Sequence, residues 1–186
     1  MKSTRFSFGS AATFLGTLLV VVSLSFSLAS CKTADDDNPL PQGIEELSAD
    51  SPLIGKWQDS YGSIYEISQT KFSNYGESYE SYAGNNLVIS KSTDNSGYIY
   101  IQYTKAYCAE HSNLEEYKYT YDNDSPDVGK WYAISYKSLT ASSIQISGAY
   151  KKGGETSTET LEEAMAEFTI ENGYFSTYSD CVKISD

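Results

Sequence analysis

The sequence predicts an all-β domain of about eight antiparallel strands, preceded by an N-terminal export signal. From Leu53 onward, short runs with alternating apolar and polar residues recur between turn residues. Tyrosine, which favours strands, is unusually abundant, with 17 copies among 186 residues against 7 of phenylalanine. Short strands at nearly regular spacing are typical of a β-barrel or a β-sandwich.

Residues 1–30 have the three parts of a bacterial secretory signal. Lys2 and Arg5 form a positive start, and the chain is then apolar or small from residue 11 to residue 29. Leu28-Ala29-Ser30-Cys31 follows with the pattern of a lipobox, in which small residues precede a cysteine. We therefore expect cleavage before Cys31 and a lipid on its thiol. The alternative is an uncleaved signal anchor, because the apolar run is nearly long enough to span a bilayer.

The lipid on Cys31 predicts where the protein resides. Several acyl chains on one cysteine bind a membrane essentially permanently, so we expect the membrane to be a partner through this lipid. Lys32 follows the cysteine in place of an aspartate, which removes the commonest retention signal for the inner membrane. The expected location is the cell envelope, at the outer membrane, with exposure on the cell surface left open.

The mature chain is strongly acidic. Removal of residues 1–30 leaves 156 residues, a length that suits one domain with a hydrophobic core. Without Lys2 and Arg5, 11 basic residues face 25 acidic ones, a net charge of −14. This charge argues against nucleic acid as a partner. It would suit a cationic partner, although acidity also keeps exported proteins soluble.

The first part of the mature chain reads as a tether over residues 31–52. It contains Asp35-Asp36-Asp37-Asn38-Pro39 and a second proline at position 41, and it lacks apolar periodicity. The folded domain is therefore expected over residues 53–186. Its predicted strands cover residues 55–60, 61–69, 71–75, 87–90, 98–104, 116–121, 130–139 and 143–150, with a last strand over 174–184.

Two turns and one helix interrupt these strands. Gly84-Asn85-Asn86 and Asp94-Asn95-Ser96-Gly97 predict turns on either side of the fourth strand. The helix is predicted over Thr160–Ile170, where Thr160 and Glu163 have the spacing of a capping box. An apolar stripe follows at helical spacing, formed by Leu161, Ala164, Met165 and Phe168. A helix of this kind packs on the rest of the domain.

Gly55-Lys56-Trp57 resembles the Gly-x-Trp signature of lipocalins and related calycin barrels. The resemblance implies an antiparallel up-and-down barrel whose end is plugged by Gly55 and Trp57, with a helix after the eighth strand. The whole domain also resembles the lipocalin-like lipoproteins of host-associated spirochaetes. The stretches that carry this second likeness are residues 129–134, 146–150, 160–164 and 167–175. The chain departs from classical lipocalins in having no arginine over Trp57; Lys183 is the nearest cation.

Two cysteines remain once Cys31 carries lipid, and they predict a disulfide between Cys108 and Cys181. Closing a loop of this length would stabilise the fold by roughly 4 kcal/mol in the chain-entropy model. The alternatives are a metal site and a nucleophile pair at Cys108 and His111. A zinc site requires further ligands, and His111 is the only histidine in the sequence. A nucleophile pair requires a third group to orient the imidazole.

The sequence predicts no enzyme, no cofactor and no metal. Acidic residues occur in adjacent pairs, such as Glu115-Glu116 and Glu162-Glu163, and adjacent side chains point apart on a strand or helix. No phosphate-binding loop and no dinucleotide fingerprint is present in the sequence. We therefore expect no catalytic residues.

Two non-enzymatic functions follow from these observations. In the first, the barrel binds a small apolar or amphipathic ligand in its open end, lined by Tyr98, Tyr100, Trp131, Tyr132 and Tyr136. In the second, side chains fill the barrel, and its tyrosine-rich outside contacts a protein partner at the cell surface or serves a structural role. Barrels of eight strands permit both arrangements, because their interior either holds one small ligand or is filled by side chains.

Overall fold

The computed structural model describes residues 39–76, 79–113, 115 and 118–185. Within these ranges the chain forms strands β1 (Glu45–Glu46), β2 (Gly55–Asp59), β3 (Ile64–Ile67), β4 (Phe72–Tyr75), β5 (Glu80–Thr93), β6 (Ser96–Tyr107), β7 (Tyr121–Asp122), β8 (Trp131–Lys137), β9 (Ser143–Gly148) and β10 (Ser179–Ser185), with helix α1 (Leu161–Glu167) between β9 and β10. No helix in this part of the chain has the length and hydrophobicity needed to cross a bilayer.

Eight of the strands form a closed antiparallel barrel. Neighbours around the ring are β2, β3, β4, β5, β6, β8, β9 and β10, and β10 pairs with β2 to complete the circle. The two-residue strands β1 and β7 pair with β5 and β6 and add to the wall. The predicted all-β barrel, with one short helix near the C-terminus and a final strand, is therefore confirmed, and its architecture is consistent with a lipocalin-like barrel.

Strand β5 is longer than predicted because the Gly84-Asn85-Asn86 segment is a bulge and not a turn. The pairing of β5 with β6 shifts register around Gly84 and again between Asn85 and Val88, and Asn86 has a φ of 51°. A side chain at Gly84 would lie 2.6 Å from the carbonyl oxygen of Gln102. Glycine and asparagine therefore allow a close strand approach and a bend within one continuous strand.

Two other predicted strands form only in part. In the predicted strand over residues 116–121, the described residues include only Tyr121 in a strand, where β7 pairs with the end of β6. The last strand begins at Ser179, because Tyr174 and Phe175 pack under the helix instead of joining the sheet. Local alternation predicted both strands, but tertiary packing determines which residues enter the barrel wall.

A hydrophobic core fills the interior of the barrel. Its largest fully buried side chains include Trp57, Phe72 and Tyr136. Every second residue of β6 points inward, namely Ile99, Ile101 and Tyr103, as the two-residue period of a strand requires. The interior is therefore lined by large side chains from every part of the ring.

A second cluster lies outside the wall, under α1. Thr160 caps the helix in the predicted capping box with Glu163, so this part of the helix prediction is confirmed, although the helix ends at Glu167. Leu161, Ala164 and Phe168 are buried against the outer faces of β6 and β8. The helix lies between the seventh and eighth barrel strands, whereas the resemblance implied a helix after the eighth. In this chain β10 follows the helix and closes the ring between β9 and β2.

The folded domain includes part of the segment that the sequence assigned to the tether. Glu45 pairs with Ile89 of β5, and Leu47 is buried in the barrel core. Ile44 is buried against the outer cluster. These two apolar residues stand among polar and turn residues, so only the tertiary contacts reveal their role. The predicted signal peptide and Cys31 lie outside the described residues.

Candidate functional site

Trp57 is fully buried at the end of the barrel where β2 begins. Its Nε1 donates a hydrogen bond to the carbonyl oxygen of Leu53 at 2.9 Å. The Nζ of Lys183 lies 5.4 Å from the centre of the Trp57 ring, at a distance that suits a cation–π contact. Gly55 has a φ of +137°, and a side chain there would lie 2.6 Å from the carbonyl oxygen of Ser185. Gly55 and Trp57 therefore pack directly against the last strand.

The five predicted ligand-lining residues divide between two faces of the wall. Tyr132 and Tyr136 point into the barrel core. Tyr98, Tyr100 and Trp131 point outward and pack in the cluster under α1. The prediction that these three residues line a ligand space is therefore wrong, because side chains alternate between the two faces of a strand. In β6 the row that contains Ile99 occupies the interior, so the tyrosine row must lie outside.

Aromatic side chains stack inside the barrel. The ring centre of Tyr132 lies 4.8 Å from that of Tyr103 and 5.6 Å from that of Tyr82. Tyr82 in turn stacks on Phe72 at 5.7 Å. The hydroxyl of Tyr132 donates a hydrogen bond to the carbonyl oxygen of Ala149 at 3.0 Å. Burial raises the pKa of Tyr82 and Tyr103 well above the usual value, because a phenolate would lose its hydration there.

Among the clefts on the described surface, two lie next to features named above, and the stacked rings of the interior line neither of them. One, of about 350 Å³, lies at the Trp57 end, between residues 45–53 and the side chains of Ile89, Tyr136 and Leu139. The other, of about 530 Å³, lies between residues 155–159 and the exposed side of α1, beside Asp127 and Lys130. Both are open clefts lined by polar and acidic groups as well as apolar ones, unlike the enclosed apolar pockets that hold lipophilic ligands.

Four exposed tyrosines lie at one end of the barrel. Because the strands run antiparallel around the ring, the connections after β2, β4, β6 and β9 all lie at the same end. Each of these connections carries one tyrosine whose exposed fraction is between 54 and 84%. We name these four residues the tyrosine rim: Tyr61, Tyr79, Tyr119 and Tyr150.

A second layer of tyrosines lies beneath the rim. The ring centre of Tyr107 lies 6.3 Å from that of Tyr119 and 5.9 Å from that of Tyr121. Burial raises the pKa of Tyr121, and nearby Tyr79 adds to this effect. Aromatic groups therefore extend from the rim towards the stacked rings of the interior. The rim cannot be predicted from local patterns because its members lie far apart in the chain, although tyrosine is an uncommon choice for tight turns.

Cys108 and Cys181 are both buried and both free, so the predicted disulfide is not formed in this structure. Cys181 pairs with Ile144 of β9, and two strands, β8 and β9, separate β10 from β6. Cys108 follows the end of β6. Strands β6 and β10 are therefore three strand spacings of about 4.8 Å apart around the ring. A disulfide allows only roughly 7 Å between its two Cα atoms. Counting cysteines could not reveal this separation.

Cys108 instead lies beside His111 and Asp122. The Sγ of Cys108, a ring nitrogen of His111 and a carboxylate oxygen of Asp122 all lie within 4.8 Å of one another. The Nδ1 of His111 is 2.5 Å from the Oδ2 of Asp122, and this hydrogen bond raises the pKa of His111 and lowers that of Asp122. Cys108 and His111 were candidates from the sequence, but Asp122 was not, because only the pairing of β7 brings it to the end of β6.

The chain matches no family model, no curated protein and no solved structure. The resemblance to lipocalin-like lipoproteins therefore remains an expectation from the sequence.

Proposed function

We propose that this protein is a non-enzymatic lipoprotein of the bacterial envelope that presents the tyrosine rim to a protein partner. One observation carries the proposal: the barrel is filled by its own aromatic side chains, while its exposed tyrosines collect at one end. The family to which we assign it is that of the lipocalin-like lipoproteins. Of the two functions that the sequence predicts, we therefore favour a barrel filled by side chains that contacts a protein partner over a barrel that binds a small ligand.

The packed interior supports this choice over binding of a small ligand. Tyr82, Tyr103 and Tyr132 occupy the space that a ligand would need, and their rings contact one another at the distances of ordinary aromatic pairs. A ligand would have to displace several of these rings. Such a rearrangement costs free energy, because the tightly packed interior would lose contacts on every side.

The chemistry of the rim suits a basic protein surface. Tyrosine is enriched at protein interfaces because it offers a large, rigid contact area at a low cost in conformational entropy. The faces of its ring attract lysine and arginine. Glu110 and Asp124 are exposed in the same connection as Tyr119, and the mature chain carries a net charge of −14. A partner rich in arginine or lysine would therefore be attracted over a distance and then held by the rings.

The described N-terminal strand enters the domain away from the rim. Glu45 of β1 pairs with Ile89, in the half of β5 that runs away from Tyr79, and forms an ion pair with Lys91 at 2.5 Å. A lipid tether on the N-terminal side would therefore join the barrel away from the rim. This arrangement would leave the four tyrosines accessible to another molecule.

Photo-crosslinking at the rim tests the proposal. We expect a photoreactive phenylalanine analogue placed at Tyr61, Tyr119 or Tyr150 to crosslink the same protein partner when the full lipoprotein is expressed in its own cells. The matched control is the analogue at Val182, an exposed apolar position on β10. Mass spectrometry of the adducts identifies the partner and measures the ratio of rim to control crosslinks, which we expect to exceed tenfold.

Two outcomes would contradict the proposed function. Equal crosslinking at Val182 and at the rim would show that contact at the rim is not specific. A small molecule retained by the protein in native mass spectrometry, after gentle extraction from its own cells, would instead support the ligand-binding alternative. The packed rings of Tyr103 and Tyr132 predict a bare protein mass.

The lipid anchor is tested separately by Cys31→Ser. We expect this variant to lose fatty-acid labelling and to accumulate as an unprocessed precursor, because the thiol that takes the lipid is absent. Labelling with a radioactive or clickable fatty acid, followed by intact-mass measurement, gives the result. Cys181→Ser is the control, since its thiol is buried in the folded domain and should leave labelling unchanged. Continued labelling of Cys31→Ser would rule out the lipobox assignment.

A further inference from the structure

Three potential metal ligands meet where β6 ends and β7 runs alongside it. Cys108 immediately follows β6, His111 lies in the turn after it, and Asp122 is the last residue of β7. Their sulfur, nitrogen and oxygen atoms lie within 4.8 Å of one another. The three residues are separated by up to 14 positions in the sequence, so the fold and not the local chain brings them together.

Hydrogen bonds hold the backbone of this cluster on both sides. The N–H of Cys108 donates to the carbonyl oxygen of Thr120 at 2.9 Å, and the hydroxyl of Thr120 donates to the carbonyl oxygen of His111 at 2.8 Å. The hydroxyl of Ser112 donates to the carbonyl oxygen of Cys108 at 2.7 Å. The ligand atoms therefore need only small side-chain movements to close around an ion.

The three side chains differ in their exposure to solvent and in the contacts that orient them. The thiol of Cys108 is buried, whereas the imidazole of His111 is about half exposed. The Oδ1 of Asp122 accepts a hydrogen bond from the backbone N–H of Asp124, which leaves Oδ2 facing the imidazole. An ion could thus enter from solvent past His111 and meet the sulfur beneath it.

The donor set selects the kind of ion. One thiolate, one imidazole and one carboxylate match the ligands that Zn²⁺ takes, with bonds of about 2.0–2.3 Å in a tetrahedral arrangement. Three protein ligands leave a fourth position for water or for a group from another molecule. The exposed acids Glu110 and Asp124 lie near His111 and add negative charge that favours a cation.

A nucleophile pair is the competing interpretation of the same residues. That chemistry requires the imidazole to take the proton of an accessible thiol. Here the thiol of Cys108 is buried, and the Nδ1 of His111 is already hydrogen-bonded to the Oδ2 of Asp122. The sulfur, nitrogen and oxygen atoms all lie within 4.8 Å of one another, an arrangement in which a single ion can contact all three.

We propose that Cys108, His111 and Asp122 form a Zn²⁺ site at the rim end of the barrel. The thiol loses its proton to solvent as the metal–sulfur bond forms, and the half-exposed imidazole of His111 leaves the site open to solvent. This inference does not depend on the proposed docking function. Crosslinking at the rim and binding of metal are separate measurements, and one can fail while the other succeeds.

Titration with Co²⁺ tests the site, because cobalt reports on its own ligands in the absorption spectrum. We expect the reduced mature protein to bind one Co²⁺ per chain and to show a thiolate-to-cobalt charge-transfer band with the intense visible bands of a tetrahedral site. Zn²⁺ should abolish both signals at one equivalent. Cys108→Ser should lose the charge-transfer band, and His111→Gln should weaken the affinity at least about tenfold.

Cys181→Ser is the matched control, because Cys181 is a second buried thiol without a histidine beside it. This variant should keep the full cobalt spectrum. The proposal is overturned if the unmodified protein shows no charge-transfer band, or if the band persists in Cys108→Ser. Should Cys108→Ser fail to fold by circular dichroism, the exposed His111→Gln variant decides the matter: unchanged Co²⁺ affinity in that variant would overturn the site.

Discussion

Truncation of Trp57 to alanine is expected to destabilise the domain by about 3–5 kcal/mol. The side chain is fully buried, and its N–H bonds the carbonyl oxygen of Leu53, so the variant loses both packing and a hydrogen bond. The surrounding strands close a ring and cannot collapse into the space. Since small domains are stable by only about 5–15 kcal/mol, much of the stability would be lost. Urea denaturation of the mature protein measures the change.

Trp131→Ala provides the matched control for this variant. Trp131 is only half-buried and lies on the outer face of β8, where it packs against the cluster under α1. We expect a cost well below that of Trp57→Ala, and a variant that stays folded. A cost below about 1 kcal/mol for Trp57→Ala, typical of a surface change, would show that Trp57 does not close the barrel.

Alkaline pH is expected to unfold the domain steeply. Desolvation raises the pKa of Tyr82, Tyr103 and Tyr132 above the usual value, and it raises the pKa of Tyr136 to about 12. In the unfolded chain these phenols ionise near pH 10. The unfolded state therefore loses its protons first. The free energy of unfolding should be constant below about pH 10 and should fall as the pH rises towards the folded-state pKa values.

The size of this effect follows from the number of groups. Each tyrosine that ionises only in the unfolded state lowers the free energy of unfolding by about 1.4 kcal/mol per pH unit. The four tyrosines named above by themselves contribute a slope of about 5 kcal/mol per pH unit. Urea denaturation at several pH values between 8 and 11.5 measures the slope, while the phenolate absorbance of the folded protein shows which groups remain protonated.

Two phenylalanine variants test the assignment to the barrel interior. Tyr132→Phe should reduce the slope by about 1.4 kcal/mol per pH unit, and it should lose about 1 kcal/mol at neutral pH with the hydrogen bond to Ala149. Tyr61→Phe should leave the slope unchanged, because Tyr61 is exposed on the rim. A protein that keeps its full stability at pH 11.5 would show that the tyrosine rings of the interior are accessible to water.

The sequence predicted the positions of the strands better than it predicted which of their side chains point into the barrel. Between Tyr98 and Ile101 of β6 both rows of side chains are apolar or aromatic, so alternation identifies a strand without showing which row points inward. Tyr100 was expected in the ligand space, yet α1 and the segment after it cover that row on the outside. A strand that is buried on both faces has no polar row that would identify its outer face. The orientation of Tyr100 was predicted wrongly for this reason.

The remaining differences arise where distant residues override local preference. Gly84-Asn85-Asn86 has the composition of a turn, but pairing with β6 on one side and β4 on the other holds it in a bulged strand. Asp122 could not be associated with Cys108 from spacing, because the pairing of β7 with β6 supplies the contact. The same holds for Ile44 and Leu47, which belong to the domain only through their tertiary contacts.

The sequence by itself determined the properties that depend on near neighbours. These are the strand period, the capping box of Thr160 and Glu163, and the acidic charge, because each depends on residues within a few positions or on composition alone.

Only the tertiary structure decided which side chains fill the barrel and which residues are exposed at its ends. Closure of the ring places Tyr103, Tyr132 and Tyr136 inside and Tyr98, Tyr100 and Trp131 outside, and it gathers four distant tyrosines at one rim. It also separates Cys108 from Cys181 and brings Cys108 to His111 and Asp122. Those outcomes depend on strand order and register, which are set by the packing of the whole chain.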